Sequence, residues 1–248
     1  MKVLIVYTHP NPRSFCHAVL ERFEQGLLEA GHVAEVVDLY AIGFNPVFGM
    51  RDFSYFADDS VPLDVLESMD LKQRVVALSG GPVRRLLAKR WLRGRSIRDV
   101  VKLIARNKPS DVLEQQKKVA AADGLVFIAP VFWMGFPAIL KGWIERVFNY
   151  GFAYSLTEEG WRGNLQGRVP LLKHKKALVI STTFFSETDY GQGYADAMHK
   201  LIDEWSFEYP GVERVEHVYF YATRAVDDEV RKEYLHNTFL LGKNFSEP

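Results

Sequence analysis

The sequence predicts an α/β fold, a three-layer sandwich in which helices cover both faces of a five-stranded parallel sheet. Apolar runs without alternation recur along the chain, and such runs are typical of strands buried on both faces. Most of these runs are followed by a segment whose apolar residues have helical spacing. Strands that alternate with helices in this way indicate a parallel sheet.

The first strand–helix–strand unit is the clearest element of the pattern. Residues 2–8 form a continuous apolar run and predict a buried strand. Ser14 can cap a helix whose apolar residues recur every fourth position, and Gly31 ends it. Residues 33–39 predict the second strand. The unit is therefore a βαβ motif, with a crossover expected to be right-handed.

The remaining elements continue the alternation. Three further strands are predicted at residues 123–130, 176–183 and 212–220. Three helices are predicted at residues 137–148, 194–205 and 226–240, the first of them with Pro137 at its first position. No internal repeat or low-complexity linker appears, so one domain over residues 1–248 is expected.

Composition limits the classes of function. The chain has 248 residues, 31 Lys and Arg against 31 Asp and Glu, and 48% hydrophobic residues, which is ordinary globular usage. A nucleic-acid-binding chain would be basic, so no nucleic-acid partner is expected. Cys16 is the single cysteine, which excludes an intrachain disulfide, and no metal-ligand spacing of histidines appears. With no predicted signal peptide or membrane span, we expect a cytoplasmic protein without a metal.

One basic segment interrupts the regular alternation. Residues 72–108 contain twelve Lys or Arg and one acid, Asp99, so the segment carries a formal charge of +11. Its apolar residues keep helical spacing, which predicts two short amphipathic helices broken near Gly94. The segment is either a helical insertion packed on the sheet or on a second subunit, or a contact for an anionic membrane surface or a membrane protein. A nucleic acid or a phosphate-bearing ligand is the remaining alternative.

Chemistry is expected at the carboxyl ends of the strands, where ligands bind in open α/β sheets. Three loops meet there, at residues 8–16, 130–136 and 182–190. The first leads into a helix N-terminus, which favours a phosphate, with Arg13 and Ser14 beside it. No GxGxxG or Walker lysine motif is present, so neither a standard nicotinamide site nor a P-loop is indicated.

The other two loops offer aromatic and hydroxyl groups. Phe132 and Trp133 can flank a flat ring such as an isoalloxazine, although an aromatic loop buried at a dimer interface is the alternative. Thr182 and Thr183 can hold the polar edge of that ring. Tyr190 can steady the charge that develops when a hydride arrives.

Longer stretches around these loops match a known family. They are His9 with residues 13–15, residues 38–40 with 44–46, residues 114–118, Pro130, Trp133, residues 135–143, 145–148 and 152–154, and Thr182, Thr183 and Tyr190. The chain thus resembles the flavin-dependent NAD(P)H:quinone oxidoreductases of flavodoxin-like fold, over about residues 1–60 and 110–200. The resemblance implies the strand order 2-1-3-4-5.

The resemblance also implies a cofactor site, with FAD preferred over FMN and NAD(P)H as hydride donor. Together with the loop residues above, it assigns the flavin to His9, Arg13, Ser14, Phe15, Cys16, Pro130, Val131, Phe132, Trp133, Met134, Gly135, Thr182, Thr183, Phe184, Phe185 and Tyr190. Cys16 stands where the family often has Asn, and Phe184 and Phe185 replace its usual glycine pair.

The resemblance implies an enzyme that works as a homodimer. Tyr190 would assist hydride transfer, with Asp196 or His199 as its proton partner. Tyr154, Ser155 and Leu156 would help to form the quinone pocket against the flavin of the opposite subunit. The implied reaction is a ping-pong transfer of two electrons from NAD(P)H to a quinone, or to an azo or nitro acceptor. The alternatives are an ancillary subunit of a membrane potassium-efflux system and a one-electron carrier.

Overall fold

The structure is a computed structural model that describes residues 1–247. Its strands are β1 (Lys2–Tyr7), β2 (Val33–Asp38), β3 (Gly124–Pro130), β4 (Tyr154–Leu156), β5 (Arg168–Pro170), β6 (Lys176–Thr182) and β7 (Arg214–Phe220). Its α-helices are α1 (Phe15–Glu29), α2 (Leu63–Ser68), α3 (Leu71–Leu78), α4 (Pro82–Leu92), α5 (Ile97–Ala105), α6 (Ser110–Ala120), α7 (Ala138–Val147), α8 (Glu158–Trp161), α9 (Glu187–Tyr190), α10 (Tyr194–Met198) and α11 (Asp228–Lys243).

Five strands form one parallel sheet in the order β2-β1-β3-β6-β7. These are the five strands that the apolar runs predict, and the order 2-1-3-4-5 of those runs is confirmed. Every residue of β3, the central strand, is buried. A central parallel strand is covered on both faces, which explains why its sequence is apolar without alternation.

Each face of the sheet carries its own helices. Val126 and Ile128 of β3 join a buried cluster with Val19 and Phe23 of α1. The side chain between them, Phe127, points to the opposite face because neighbours on a strand alternate. There its ring lies 5.9 Å from that of Trp143 in α7 and 4.4 Å from that of Phe207.

Two glycines let α1 and α11 pack closely. A Cβ on Gly26 would lie 2.1 Å from the carbonyl oxygen of Phe239, and one on Gly242 would lie 2.2 Å from that of Phe23. Either contact is far inside van der Waals separation, so the backbones could not approach this closely with any larger residue. The two glycines therefore allow α11 to pack directly on α1 of the βαβ unit.

The chain forms two compact units. The sheet unit comprises Met1–Pro46, Lys117–Ile144 and the residues from Leu172 onward, and the second unit comprises Val47–Gln116 and Glu145–Leu171. The buried cluster of the second unit combines Leu66, Leu92, Val100 and Tyr150. The expectation of one domain over the whole chain stays a prediction.

Three features differ from the sequence predictions. The basic segment contains three helices, α3, α4 and α5, rather than two, since Ser79–Gly81 adds a second break besides Gly94. The helix predicted at residues 194–205 is α10 followed by a π-helix, His199–Glu208. The antiparallel pair β4 and β5 was not predicted, because three-residue strands are too short to show a period of two.

Candidate active site

The three predicted loops begin at one edge of the sheet. β1, β3 and β6 are parallel neighbours, and they end at Tyr7, Pro130 and Thr182. The chain order reverses between β1 and β3, since β2 lies on the other side of β1. Ligands of open α/β folds bind at such a switch point, outside the carboxyl ends of the strands. The sheet unit thus places its candidate site at the predicted edge.

The loop after β1 is ordered by its own polar groups. Asn11 Oδ1 accepts a hydrogen bond from Arg13 N at 3.0 Å, and His9 Nδ1 accepts one from Asn11 N at 3.0 Å. Ser14 caps α1, since its Oγ accepts from His17 N at 3.1 Å. The first turn of a helix carries spare N–H groups, so this loop presents them, with the exposed Arg13, to an anion.

Two buried polar atoms beside this loop point to a missing partner. Thr8 Oγ1 and His17 Nδ1 are inaccessible to solvent, and within residues 1–247 neither has a hydrogen-bond partner. Leaving such atoms unpaired costs about 1–3 kcal/mol each. A phosphate or a polyol chain bound at the loop would supply those partners, so the residues fit a nucleotide-like group. The sequence prediction included neither residue in the site. Only Thr8 could have been noticed, because it is the polar residue that follows an apolar strand.

Cys16 is a buried, neutral thiol in this region. Burial raises its pKa to about 12, and the hydrogen bond with Thr182 opposes that rise only in part. A thiol with so high a pKa is not an attacking thiolate at neutral pH. Cys16 can therefore shape the site beside the end of β6, but it does not offer a nucleophile.

The loop after β3 is a tight turn in a rare conformation. Phe132 N donates to Gly135 O at 3.0 Å and Gly135 N donates to Phe132 O at 3.1 Å. The two residues between them, Trp133 and Met134, have φ of 50° and 56°. Such turns favour Asn and Gly because bulky residues are strained at positive φ. The Trp133 side chain at this turn is fully in solvent.

The loop after β6 is pinned by Thr183. Its Oγ1 donates to the carbonyl oxygen of Phe185 at 2.7 Å and accepts from Ala222 N at 3.2 Å. The rings of Phe184 and Phe185 lie 5.2 Å apart at 86°, and both side chains are more than half exposed. Val131 N also donates to Thr182 O at 2.9 Å, which joins this loop to the one after β3.

The two loops enclose a cavity of about 590 Å³. Its walls are almost entirely apolar and are formed by Val131, Phe132, Trp133, Met134, Phe184, Phe185 and Tyr190. Ligand sites usually have volumes of roughly 300–1,000 Å³ and aromatic walls. Exposed rings around a cavity of this size suit a flat aromatic ligand. The residues present, Phe184 and Phe185 included, thus fit a tricyclic flavin ring.

Tyr190 closes one side of this cavity. It is buried, and its ring centroid lies 5.7 Å from that of Tyr219 and 5.4 Å from that of Tyr221. Burial raises the pKa of Tyr190, and Tyr221 adds to the rise. Asp196 is exposed on α10, and in the described part of the chain no hydrogen bond joins it to Tyr190. The role of Asp196 as proton partner stays a prediction.

A polar network that the sequence did not reveal lies behind Tyr219. His217 Nδ1 lies 2.9 Å from Asp203 Oδ1 and 3.1 Å from the Tyr219 hydroxyl, and His217 Nε2 lies 2.8 Å from Ser181 Oγ. In the tautomer in which Nδ1 donates to Asp203 Oδ1, Nε2 accepts from Ser181 Oγ. These three types of residue also form hydrolase triads, but Ser181 is only 1% exposed, so no substrate carbonyl can reach it.

The outer end of this network is accessible to solvent. His199 Nδ1 lies 2.9 Å from Asp203 Oδ2, and the imidazole is more than half exposed. The hydrogen bond with Asp203 raises the pKa of His199, with smaller contributions from Glu204 and Glu208. His199 was one of the two predicted proton partners, and it contacts Asp203 rather than Tyr190.

The predicted quinone-pocket residues lie outside the sheet unit. Tyr154, Ser155 and Leu156 form β4 in the second unit, where all three are half-buried. Their predicted place beside the flavin of another subunit stays a prediction. Within residues 1–247, no helix is long and apolar enough to cross a bilayer, and no group of three metal-ligating side chains occurs.

Comparison with known proteins decides the family. A profile of the flavodoxin-like fold family matches residues 1–238. The chain belongs to this flavodoxin-like family. An uncharacterized NAD(P)H oxidoreductase of Haemophilus influenzae, a similar relative, is 28% identical over 234 residues, which are 94% of this chain and 89% of that protein. NAD(P)H dehydrogenase (quinone) 1 of Cavia porcellus is 31% identical over 76% of this chain but only 55% of its own length.

A solved structure with a similar fold supports the same placement. NAD(P)H:quinone oxidoreductase from Methanothermobacter marburgensis is 27% identical, with a TM-score of 0.68, over 100% of this chain and 97% of that one. The predicted resemblance and fold class are thereby confirmed, and so is the prediction of an enzyme of the NAD(P)H oxidoreductase class. The individual site residues and the partners stay predictions.

Proposed function

We propose that this chain is a flavin-dependent oxidoreductase that passes two electrons from NAD(P)H to a quinone-type acceptor. The observation that carries the proposal is the aromatic cavity between Phe132, Trp133, Phe184 and Phe185, at the switch point of the sheet. When bound, the flavin accepts a hydride from NAD(P)H and passes two electrons to the acceptor. FAD is the preferred cofactor and FMN the alternative.

The aromatic walls hold the ring and exclude water. Phe132 and Trp133 would cover one side of a flat ligand, and Phe184 and Phe185 another. The two Thr183 Oγ1 hydrogen bonds tie the backbone of the second wall to Phe185 and Ala222. Val131 and Met134 complete an apolar lining, in which a stacked nicotinamide or quinone meets little competing water.

The loop after β1 would bind the phosphate end of the cofactor. Arg13 supplies a positive charge and the first turn of α1 supplies N–H donors. Thr8 Oγ1 and His17 Nδ1 would obtain the partners that they lack in the protein alone. His9 lies in the same loop, and Phe15 and Cys16 follow the loop as the first residues of α1.

Tyr190 would donate a hydrogen bond into the cavity. Because its pKa is raised, it stays a protonated phenol over the working pH range. A preorganised donor aimed at the place where charge develops can lower a barrier substantially. Tyr219 and Tyr221 hold the Tyr190 ring, and His217 in turn contacts the Tyr219 hydroxyl, so we assign His217 and Asp203 as positioning residues for Tyr190.

We also propose that the active form is a homodimer. In it, Tyr154, Ser155 and Leu156 of one subunit approach the cavity of the other and complete the acceptor pocket. The support for this is the resemblance of residues 130–154 to the quinone reductases. Sedimentation equilibrium of the purified protein would measure the stoichiometry directly, and a monomer that retains full activity would contradict the homodimer proposal.

The test is an absorption spectrum followed by anaerobic titration. We expect the purified or reconstituted protein to bind FAD, to bleach when NADPH or NADH is added, and to recover its absorbance when menadione is added. Repeating the titration with an azo dye or a nitroarene in place of menadione would compare the rates at which the three acceptors reoxidise the protein. Flavin that binds but never bleaches would favour the ancillary-subunit alternative, and failure to bind either flavin would overturn the proposal.

Substitution of Tyr190 provides a sharper prediction. Tyr190→Phe removes one hydroxyl and should slow reduction of the bound flavin by about 10²-fold, while the flavin dissociation constant changes little. Tyr194→Phe is the matched control, because Tyr194 is exposed on the neighbouring α10. Equal reduction rates in both variants would remove Tyr190 from the mechanism without affecting the flavin assignment.

A further inference from the structure

The basic helix α4 exposes an apolar stripe to solvent. Val83, Leu86, Leu87 and Trp91 follow the i, i+3, i+4, i+8 spacing of one helix face. Their side chains are 70%, 68%, 60% and 42% exposed, whereas Leu92 is the one residue of the helix that is fully buried. In a globular domain such a stripe normally faces the core. Here the helix faces away from the core of its own unit.

Cations border this stripe, since at 100° per residue Arg84 and Arg90 lie beside its apolar side chains, whereas Arg85 and Lys89 lie on the opposite side of the helix. Arg84, Arg85, Lys89 and Arg90 lie on the same helix, and within residues 1–247 none of the four forms an ion pair. The guanidinium of Arg95 lies 3.9 Å from the ring centroid of Trp91. Between Asp70 and Asp99 the sequence has no acid at all. Nothing in this stretch of chain neutralises the charge.

The cations also line a cleft in the second unit. A cavity of about 830 Å³ lies between α3 and α4 and is bordered by Lys72, Arg85, Lys89 and Arg93. No acidic residue is among its lining side chains, which otherwise are Gln73, Val76, Ala77, Leu92 and Gly94. The cleft could accept an anionic group, and it lies on the side of α4 opposite the apolar stripe.

We propose that α4 docks on the surface of an anionic phospholipid bilayer. A basic helix that carries Trp and Leu on one face matches the chemistry of helices that lie in the membrane interface. Acyl chains would cover the stripe, and lipid phosphates would pair with Arg84 and Arg90 beside it.

The charge and the apolar stripe of α4 argue against a second copy of the chain and against a nucleic acid as the partner. A symmetric contact with a second copy would place this strongly basic face against itself, and like charges across an interface cost several kcal/mol. A nucleic acid would satisfy the cations but would leave the apolar stripe uncovered. An anionic bilayer provides partners for both parts of the surface. The proposal does not depend on which electron acceptor the enzyme uses.

Sedimentation with vesicles tests the proposal on the full chain. We expect binding to vesicles of phosphatidylcholine mixed with phosphatidylserine, no binding to phosphatidylcholine alone, and release as salt is raised. Arg84→Glu with Arg90→Glu, a change of the two exposed cations beside the stripe, should lower the partition coefficient about fivefold for each unit of charge removed. Leu86→Ser with Trp91→Ser should weaken binding at least tenfold at unchanged charge. Lys173→Glu with Lys175→Glu, two exposed lysines of the sheet unit, is the matched control.

The results of this experiment distinguish a bilayer from a nucleic acid and from a second copy as the partner of this surface. Because both variant pairs change exposed residues, circular dichroism and NADPH oxidation without vesicles should stay unchanged. No sedimentation of the wild-type chain at low salt would overturn the proposal, as would equal binding of all variants. A duplex DNA that binds in place of vesicles would assign the surface to nucleic acid. A change of oligomeric state in the Leu86 and Trp91 variant would assign it to a second copy.

Discussion

At the scale of single residues, the turn after β3 stores backbone strain at the site. Met134 adopts φ of 56°, which costs a residue with a side chain about 1–2 kcal/mol, whereas glycine adopts it freely. We therefore expect Met134→Gly to raise the free energy of unfolding by about 1 kcal/mol, after the entropy that glycine adds to the unfolded chain. Urea denaturation measures this. Met134→Ala keeps the strain and should give no gain, so an equal gain in both variants would contradict the explanation.

His174 gives a pH dependence of stability with a defined sign. It is buried, its Nε2 lies 3.0 Å from Val119 O, and burial lowers its pKa below the usual value of about 6.5. The unfolded chain therefore takes up the proton first. The contribution of His174 to stability is fully present above pH of about 6.5 and is lost as the pH falls below it.

A comparison of variants isolates this effect. His174→Gln cannot titrate, so the stability of the wild-type chain relative to this variant should fall between about pH 7 and pH 5, by at most about 1.4 kcal/mol per pH unit. His236→Gln, a change at an exposed histidine, should leave the wild-type profile unaltered. Parallel profiles for wild type and His174→Gln would show that His174 does not carry the dependence.

At the scale of elements, a buried ion cluster joins parts of the second unit that lie far apart in the chain. Arg146 of α7 donates from Nε to Asp52 Oδ1 at 3.0 Å and from Nη1 to Asp111 Oδ2 of α6 at 2.7 Å. The side chains of Arg146 and Asp52 are 6% and 3% exposed. Asp52 Oδ2 also accepts from Gly49 N at 2.7 Å, so the carboxylate orders the chain before α2 as well.

Removal of the Asp52 carboxylate should therefore lower the stability of the fold. Asp52→Ala leaves a buried guanidinium with one carboxylate fewer, and we expect a loss of about 3 kcal/mol in the free energy of unfolding. Asp59→Ala removes an acid from an exposed pair with Arg98 and should cost less than about 1 kcal/mol. Urea denaturation of both variants makes the comparison. A loss for Asp52→Ala no larger than that for Asp59→Ala would mean that the cluster adds little to stability.

Elements differ in how far a sequence reveals them. The five sheet strands could be predicted because burial on both faces produces long apolar runs that a local window detects. The three loops of the site followed from the same strands. The positive φ of Trp133 and Met134 could not be predicted, because both are residue types that avoid that conformation. The contacts of His217 with Asp203 and Ser181 span 14 and 36 residues, and no local period encodes such separations.

At the scale of the whole molecule, charge is distributed unevenly along the chain. The formal net charge is zero, yet residues 72–108 alone carry +11, so the rest of the chain carries an equal negative charge. The candidate active site belongs to the sheet unit, and the proposed docking surface belongs to the second unit. Redox chemistry and attachment would thus use different parts of the sequence, and a variant could lose one while it keeps the other.

The exposure of Trp133 has an optical consequence. The chain contains five tryptophans, and Trp133 is wholly in water whereas Trp143 is wholly buried. An indole in water emits at longer wavelength than one in an apolar interior, so Trp133 contributes to the red edge of the emission spectrum together with the partly exposed Trp91 and Trp205. An aromatic guest that stacks on the turn would quench the part of that edge that Trp133 contributes, and Trp133→Phe would identify that part. The molecule thus carries its own fluorescent reporter at the mouth of the cavity.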